Sequence, residues 1–175
     1  AKPLPTDKAV PASLGSASED VTAYVGLDRV GERFARGFAD MLEGFGVEAA
    51  KVRFLGTQAQ DVAGWRQSQT DIVVGAGFQL KPFKGKMGIA IPASMIVQLV
   101  DLFFGGDGEV EPFNREFSAA ENRFIGRMAD SCGVLLRPCW AGIADVEASL
   151  STVDIGAKKL AMGRAGDQLF VQRFS

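Results

Sequence analysis

Histidine is absent from this sequence of 175 residues, and cysteine occurs only twice. Without histidine the chain cannot build Ser-His or Cys-His nucleophilic sites, and it lacks the usual His-containing zinc ligands. Cys132 and Cys139 lie in a stretch with helical period, which places them near one face of a helix but too far apart for a disulfide. Two core thiols, no metal and a reducing compartment are therefore expected.

The chain also has no large net charge. It contains 19 Lys and Arg and 21 Asp and Glu, which give a net charge of -2. The basic residues are scattered, which argues against nucleic acid or an anionic membrane as a partner. The most apolar stretch, residues 87–104, is interrupted by polar residues and is shorter than the roughly 20 residues of a spanning helix. No membrane insertion is expected, and the N-terminus has no apolar core of the kind that marks a signal peptide.

A content of 47% hydrophobic and 23% charged residues is typical of a globular domain. Residues 1–24 are rich in Pro, Ala and Ser and predict a disordered segment or linker. Residues 25–175 then predict one domain of the α/β (α+β) class.

Hydrophobic periodicity predicts the elements of that domain. Long amphipathic helices are expected at 27–45 and 118–136, the second opened by a Ser118-Ala-Ala-Glu121 capping box and ended or kinked by Pro138. A short helix is expected from Pro92 to Gly105. Strands are expected at 47–56, 72–80, 87–91, 146–153, 159–163 and 168–174, whereas 58–69 is polar with Trp65 as its one large anchor. In this order the second half repeats the first and stops early.

A glycine-rich loop, Phe103-Phe-Gly-Gly-Asp-Gly108, ends the short helix and is the strongest candidate for a functional site. Glycines allow positive φ and close approach of the backbone to another surface, although they also serve simple turns. A phosphate-binding P-loop is disfavoured because a helix precedes the glycines and no Lys-Ser or Lys-Thr follows. A diguanylate cyclase signature is disfavoured too, since Gly108 stands where that motif has an acidic residue.

Carboxylates and aromatic rings surround the loop. The carboxylates predict a solvated acidic rim, with a divalent cation site as the alternative; they are Asp101, Asp107, Glu109, Glu111 and Glu116. The rings predict core residues, any exposed one being a good interface anchor; they are Phe103, Phe104, Phe113 and Phe117.

The run Gly85-Lys-Met-Gly-Ile-Ala-Ile-Pro-Ala-Ser-Met-Ile-Val-Gln-Leu-Val-Asp-Leu-Phe-Phe-Gly-Gly-Asp-Gly108, with Arg115-Glu-Phe-Ser-Ala-Ala-Glu121, resembles the FliM family of the flagellar motor switch. Strand, Pro-initiated helix, GGxG loop and capped long helix come in that family's order. Glu32-Arg-Phe-Ala-Arg36 resembles the start of its first helix. The likeness covers about residues 25–175 and is weakest in the final third.

This resemblance implies the FliM middle domain, a pseudo-two-fold CheC-like fold in which both halves contribute to one mixed sheet of hairpins packed with helices. It implies that the domain ends a hairpin strand and a helix early at its C-terminus. It also implies a non-enzymatic adaptor in the cytoplasmic ring at the flagellar basal body, which transmits chemotaxis signals to the direction of rotation without a cofactor. The implied contact with FliG is the loop Gly105, Gly106, Asp107 and Gly108, and the long helices would contact neighbouring FliM copies. Phosphorylated CheY is a further implied partner.

Two other functions remain open at this point: a CheC-like phosphatase of a response regulator, and a self-associating scaffold outside motility. CheC-type phosphatases resemble one another in an acidic residue or Ser, a Glu four residues on and an Asn three further. Here the first helix has Asp28, Glu32 and Ala35, and the second has Ser118, Asn122 and Ile125. Because both positions lack the amide that orients water, we expect no phosphatase activity. For the loop we expect Gly106→Trp to leave the fold intact and weaken FliG binding.

Overall fold

The computed structural model describes residues 25–109 and 112–175, so the predicted linker at 1–24 lies outside the described residues. The helices are α1 (Val25–Gly44), α2 (Val62–Ser68), α3 (Ala93–Phe103) and α4 (Ala119–Trp140). The strands are β1 (Phe54–Asp61), β2 (Val73–Lys81), β3 (Lys86–Pro92), β4 (Glu147–Ile155) and β5 (Gln168–Phe174). The expected combination of two long helices, one short helix and hairpin strands is confirmed.

The two long helices form the centre of the core. One face of α1 is buried through Val30, Phe34, Phe38 and Leu42, as its three- and four-residue spacing predicts. Helix α4 packs beside α1 and over β4. It continues past Pro138 to Trp140, because a proline in the last turn removes only one of the final backbone hydrogen bonds.

The strands form two small antiparallel sheets instead of the single mixed sheet that was expected. One has the order β3-β2-β4, and the other pairs β1 with β5. The first strand of each half thus pairs with the second strand of the other half, β1 with β5 and β4 with β2. This reciprocal pairing agrees with the predicted pseudo-two-fold repeat.

Two predicted strands differ from the structure, and one segment that was left without a predicted element forms a helix. Residues 47–56 are extended only from Phe54, because the turn before it contains Gly46 and Ala49 at positive φ. The polar segment 58–69 ends β1 and then forms α2, whose N-cap is Asp61 with a side chain that accepts the Gly64 N–H at 2.6 Å. Residues 159–163 form a turn and no strand.

That turn crosses the face of β2 opposite the helices. Leu160 is 1% exposed and packs so closely on Gly75 that any Cβ at this position would overlap its side chain. With Trp65 and Val73 it forms a second, smaller core. Residues 159–163 therefore do not pair as a strand. Instead the Leu160 side chain is buried against Gly75.

Candidate functional site

The glycine-rich loop continues directly from the C-terminal end of α3. The Phe104 N–H donates to the Val100 and Asp101 carbonyls, each at 3.1 Å, and closes the last helical turn. Gly105 has φ +86, the left-handed conformation expected for the residue after a C-cap, and its N–H donates to the Leu102 carbonyl at 3.0 Å. The chain therefore leaves α3 in one defined direction.

Asp101 organises the rest of the loop from the last turn of α3. Its carbonyl accepts the Gly106 N–H at 2.9 Å, and its Oδ2 accepts the Gly108 N–H at 2.9 Å. Gly108 is buried at φ +78, and the Asp107 carboxylate accepts the Glu109 N–H at 3.0 Å. These bonds fix the loop before any partner arrives, which lowers the entropy that binding must overcome.

The glycines of the loop are not equivalent. A Cβ on Gly106 would overlap the Asp101 carboxylate, whereas a Cβ on Gly105 would meet no atom within 4 Å. Gly106→Trp would therefore displace the Asp101 carboxylate and disturb the loop itself, so weaker FliG binding by this variant would not by itself show a direct contact at Gly106. Gly105 has free space for a side chain at the outer surface, but its positive φ limits the choice to residues that tolerate it, such as Asn.

Two of the phenylalanines near the loop are exposed, Phe103 at 38% and Phe104 more so, which makes Phe104 the better candidate for an anchor and contradicts the prediction that Phe103 is a core residue. Phe104 is 70% exposed and stands edge-on to Phe103, with ring centroids 5.2 Å apart. Phe103 in turn packs against Phe124 at 5.6 Å, while Phe117 is buried and stacks on the half-buried Phe113 at 4.3 Å. Phe104 thus presents an exposed ring that rests on Phe103, which in turn contacts the buried Phe124.

Two of the four described carboxylates of the acidic rim hold the backbone, and the other two fit the predicted solvated rim. Asp101 and Asp107 accept loop N–H groups, and Glu116 and Glu109 are exposed. Glu111 lies outside the described residues. Within 25–109 and 112–175, no three Asp, Glu or Cys side chains come together as metal ligands.

A charged pair fixes the segment that connects the loop to α4. Arg115 donates to both carboxylate oxygens of Glu121 at 2.7 and 2.8 Å, and Glu121 also accepts the Ser118 N–H at 2.6 Å. The Ser118 hydroxyl accepts the Glu121 N–H at 3.2 Å, which confirms the predicted capping box. The hydrogen bond from Arg115 is the main reason why the pKa of Glu121 falls to about 2.

The positions that correspond to the phosphatase pattern hold no free amide. Asp28 accepts the Thr57 hydroxyl at 2.7 Å, Glu32 is exposed, and Ala35 and Ile125 are buried. The Asn122 amide is occupied locally, since it donates to the Phe117 and Ser118 carbonyls at 3.1 and 3.0 Å.

No helix within the described ranges is long and apolar enough to span a membrane.

Sequence reasoning located the loop but missed the residues that shape it. Asp101 was predicted only as part of an acidic rim, and Arg115 only as part of a motif. The signal for Asp101 was its place in the last helical turn, from which a short carboxylate reaches the N–H groups that follow.

Comparison with known proteins identifies the family. The sequence model of the family described as "Flagellar motor switch protein FliM" matches residues 24–173. FliM of Pseudomonas aeruginosa is 30% identical over 69 residues, which cover 39% of this chain and 21% of the relative. The chain therefore matches about a fifth of the length of that curated relative.

Solved structures with low sequence identity share the fold. The FliM middle domain from Vibrio alginolyticus superposes with a TM-score of 0.74 at 22% identity, covering 85% of this chain and 83% of that chain. A chain of the FliG-FliM complex from H. pylori gives a TM-score of 0.78 at 14% identity, covering 90% and 87%. Because the family match extends over most of the sequence, the chain belongs to the FliM family of flagellar motor switch proteins.

Proposed function

We propose that this chain is an adaptor module of the flagellar motor switch, that it binds FliG through the loop Gly105-Gly106-Asp107-Gly108, and that it catalyses no reaction. The observation that carries the proposal is the pre-organised loop, with an open Gly105 and an exposed Phe104 at the end of α3. We assign residues 25–175 to the FliM middle domain and residues 1–24 to a linker.

A complex of FliG and FliM from H. pylori shares this fold, which supports FliG as the partner. The loop also has the properties of a contact site. Gly105 leaves its backbone accessible, and a large aromatic ring such as Phe104 is a residue type that commonly carries binding energy. Since Asp101 already holds the loop, FliG would meet a surface that needs little reordering.

The absence of catalysis is proposed from the helix positions that would carry it. A CheC-like phosphatase needs an amide directed at the attacking water, and here Ala35 and Ile125 are buried apolar residues. Asn122 cannot substitute for them while its amide donates to carbonyls at the start of α4. These contacts favour the adaptor over the phosphatase.

Contacts with neighbouring copies are proposed for the outer faces of α1 and α4. These faces expose charges of both signs, among them Glu32, Arg36, Arg123 and Asp130. Val134 is 75% exposed in the middle of α4 and offers an apolar contact. In a ring at the cytoplasmic side of the basal body, a tilt of this domain against FliG would alter rotation, and phosphorylated CheY would bias that tilt by binding one orientation more tightly.

Calorimetric titration with FliG tests the loop directly. Phe104→Ala should weaken binding by about tenfold or more, because it removes an exposed anchor without touching the core. Gly105→Asn should weaken binding as well, since asparagine tolerates positive φ and adds a side chain at the contact. Leu55→Ala is the matched control, because Leu55 is 61% exposed on β1 and away from the loop.

Equal FliG affinity for the parent chain and both loop variants would exclude the loop from the interface. A separate assay of phosphorylated CheY tests catalysis. The adaptor proposal predicts that its dephosphorylation rate is unchanged by this chain. Acceleration of that rate together with no FliG binding would favour the CheC-like alternative.

A further inference from the structure

An open groove lies at the C-terminal end of α4, where the chain turns towards β4. Its volume is about 620 Å³, and apolar residues form its floor: Pro138, Ala141, Ile143 and Ala144. Arg137 and Asp145 complete the lining. Their contact is long at 3.4 Å and both side chains are highly exposed, so this ion pair contributes little to stability. The apolar floor is therefore the feature of this groove that can bind a segment of chain.

The first turn of α1 lies against one wall of the groove. A Cβ built on Gly26 would lie 3.4 to 3.9 Å from carbon atoms of the Ile143 side chain, which is ordinary van der Waals contact. Further along α1, the Arg33 guanidinium donates to the Cys139 and Ala141 carbonyls. These contacts hold the start of α1 and the groove in a fixed relation to each other.

The segment that precedes α1 therefore joins the domain beside the groove. Residues 1–24 come before Val25, the first residue of α1. An extended chain spans at most about 3.3–3.6 Å per residue, so residues 21–24 reach on the order of 13 Å from the start of α1. This distance is sufficient to cross the groove without any change in α1.

The composition of the segment changes as it approaches α1. Residues 1–20 are rich in Pro, Ala and Ser, whereas Val21-Thr-Ala-Tyr24 ends in the only tyrosine of the chain. A tyrosine can bury its ring on an apolar surface while its hydroxyl remains in water, which suits an open groove. Because these residues are tied directly to α1, their effective concentration at the groove is about millimolar or higher. Even a weak contact would then be populated.

We propose that residues 21–24 of the same chain occupy this groove, with the Tyr24 ring on the floor formed by Pro138 and Ile143. This contact anchors the preceding segment at one end of α4. Helix α4 has 22 residues, so at 1.5 Å per residue the groove is on the order of 30 Å from the glycine-rich loop. The anchored segment leaves that loop free, and the inference does not depend on FliG binding.

Fluorine NMR of the full chain labelled with fluorotyrosine tests the proposal, because the single tyrosine gives one signal. The Tyr24 signal of the folded chain should be shifted from its position in urea, and a soluble paramagnetic agent should broaden it less than in urea. A signal at the position of the unfolded chain, with equal broadening, would overturn the proposal.

A pair of matched variants identifies the groove as the binding site. Ala141→Glu places a charge on the apolar floor at an exposed position, so the Tyr24 signal should lose its shift. Ala119→Glu makes the same substitution at an exposed position at the other end of α4 and should leave the signal unchanged. Thermal unfolding of each variant confirms that it is folded. Equal responses of the two variants would overturn the assignment to the groove.

Dilution separates a contact within one chain from a contact between two copies. The Tyr24 signal should not depend on protein concentration. A shift that disappears on dilution would show that the groove takes the segment of a second copy, and it would overturn the proposal. Phe104→Ala should leave the Tyr24 signal unchanged, so failure here and failure of FliG binding at the loop are separate results.

Discussion

At the residue scale, Glu121 shows how one side chain joins several parts of the site. Glu121 is only 5% exposed. Its carboxylate accepts hydrogen bonds from the Arg115 side chain and from the backbone N–H of Ser118, the N-cap of its own helix. Charge-assisted bonds of this kind are roughly twice as strong as neutral ones. Glu121 therefore fixes the chain that returns from the loop to α4.

The stability contribution of Glu121 should depend on pH. Its pKa is lowered to about 2, so the carboxylate favours the folded state above the ordinary value of 4.5, and this contribution disappears as pH falls toward 2. Glu121→Gln should lower the free energy of unfolding at pH 7 by about 1–2 kcal/mol. Urea unfolding of both proteins should show the difference shrinking between about pH 5 and pH 2. A difference that stays constant over this range would contradict the charge-based account.

Single residues of the site were predictable only where the partner is close in sequence. The capping box joins residues three apart and was read directly from Ser118 and Glu121. The bond from Arg115 crosses a turn, and the bond from Asp101 to Gly108 depends on how α3 ends. Neither has a periodic signal, so the pattern of residues did not predict them.

At the element scale, strand β2 is the most constrained part of the fold. It is covered on one face by α4 and on the other by the turn that carries Leu160, and it is paired on both edges. Gly75 and Gly77 leave room for Leu160 and Thr152 on that second face. These glycines are therefore needed for close packing and are not signs of a flexible strand.

Gly75→Ala should destabilise the domain by about 1–3 kcal/mol, because the added methyl group overlaps a side chain that has no free space. Leu160→Ala alone should cost about 2–4 kcal/mol by leaving a cavity. In the double variant the methyl group occupies part of that cavity, so the loss should be smaller than the sum of the two. Additive losses in chemical denaturation would show that the two residues do not interact.

Elements with long periodic patterns were predicted well, and irregular ones were not. Helices α1 and α4 follow from their apolar spacing, and the β2-β3 hairpin and β5 follow from short apolar runs between turn residues. The segment 159–163 has the same composition but packs as a turn because only tertiary contact with Gly75 decides its shape. Helix α2 is short, and it follows the polar residues of β1 directly, so the sequence shows no clear helical period there.

At the scale of the whole molecule, reciprocal strand pairing ties the two halves into one unit. β1 and β5 join opposite halves, as do β4 and β2, while α1 and α4 pack side by side, α1 against β1 and α4 against β4. The resemblance to the FliM family, read from residues 85–121, is confirmed by the family match over residues 24–173. The division into two sheets was not predicted, because periodicity identifies strands and does not specify their partners.

This architecture places two different surfaces at opposite ends of α4. The loop end presents Phe104 and an open glycine, and the other end carries an open groove lined by apolar residues such as Pro138 and Ile143. In the proposed role, a rigid domain that binds FliG through the loop and neighbouring copies through α1 and α4 transmits a change of orientation between them. That is the physical content of the adaptor role proposed for this chain.

Hydrogen-deuterium exchange of this chain with and without FliG tests the central claim most directly, because it reports the contact without any substitution. The account predicts slower exchange on FliG binding in the segment from Leu102 to Glu109, with unchanged exchange on the outer faces of α1 and α4. Slower exchange confined to those helices, with the loop unaffected, would contradict it.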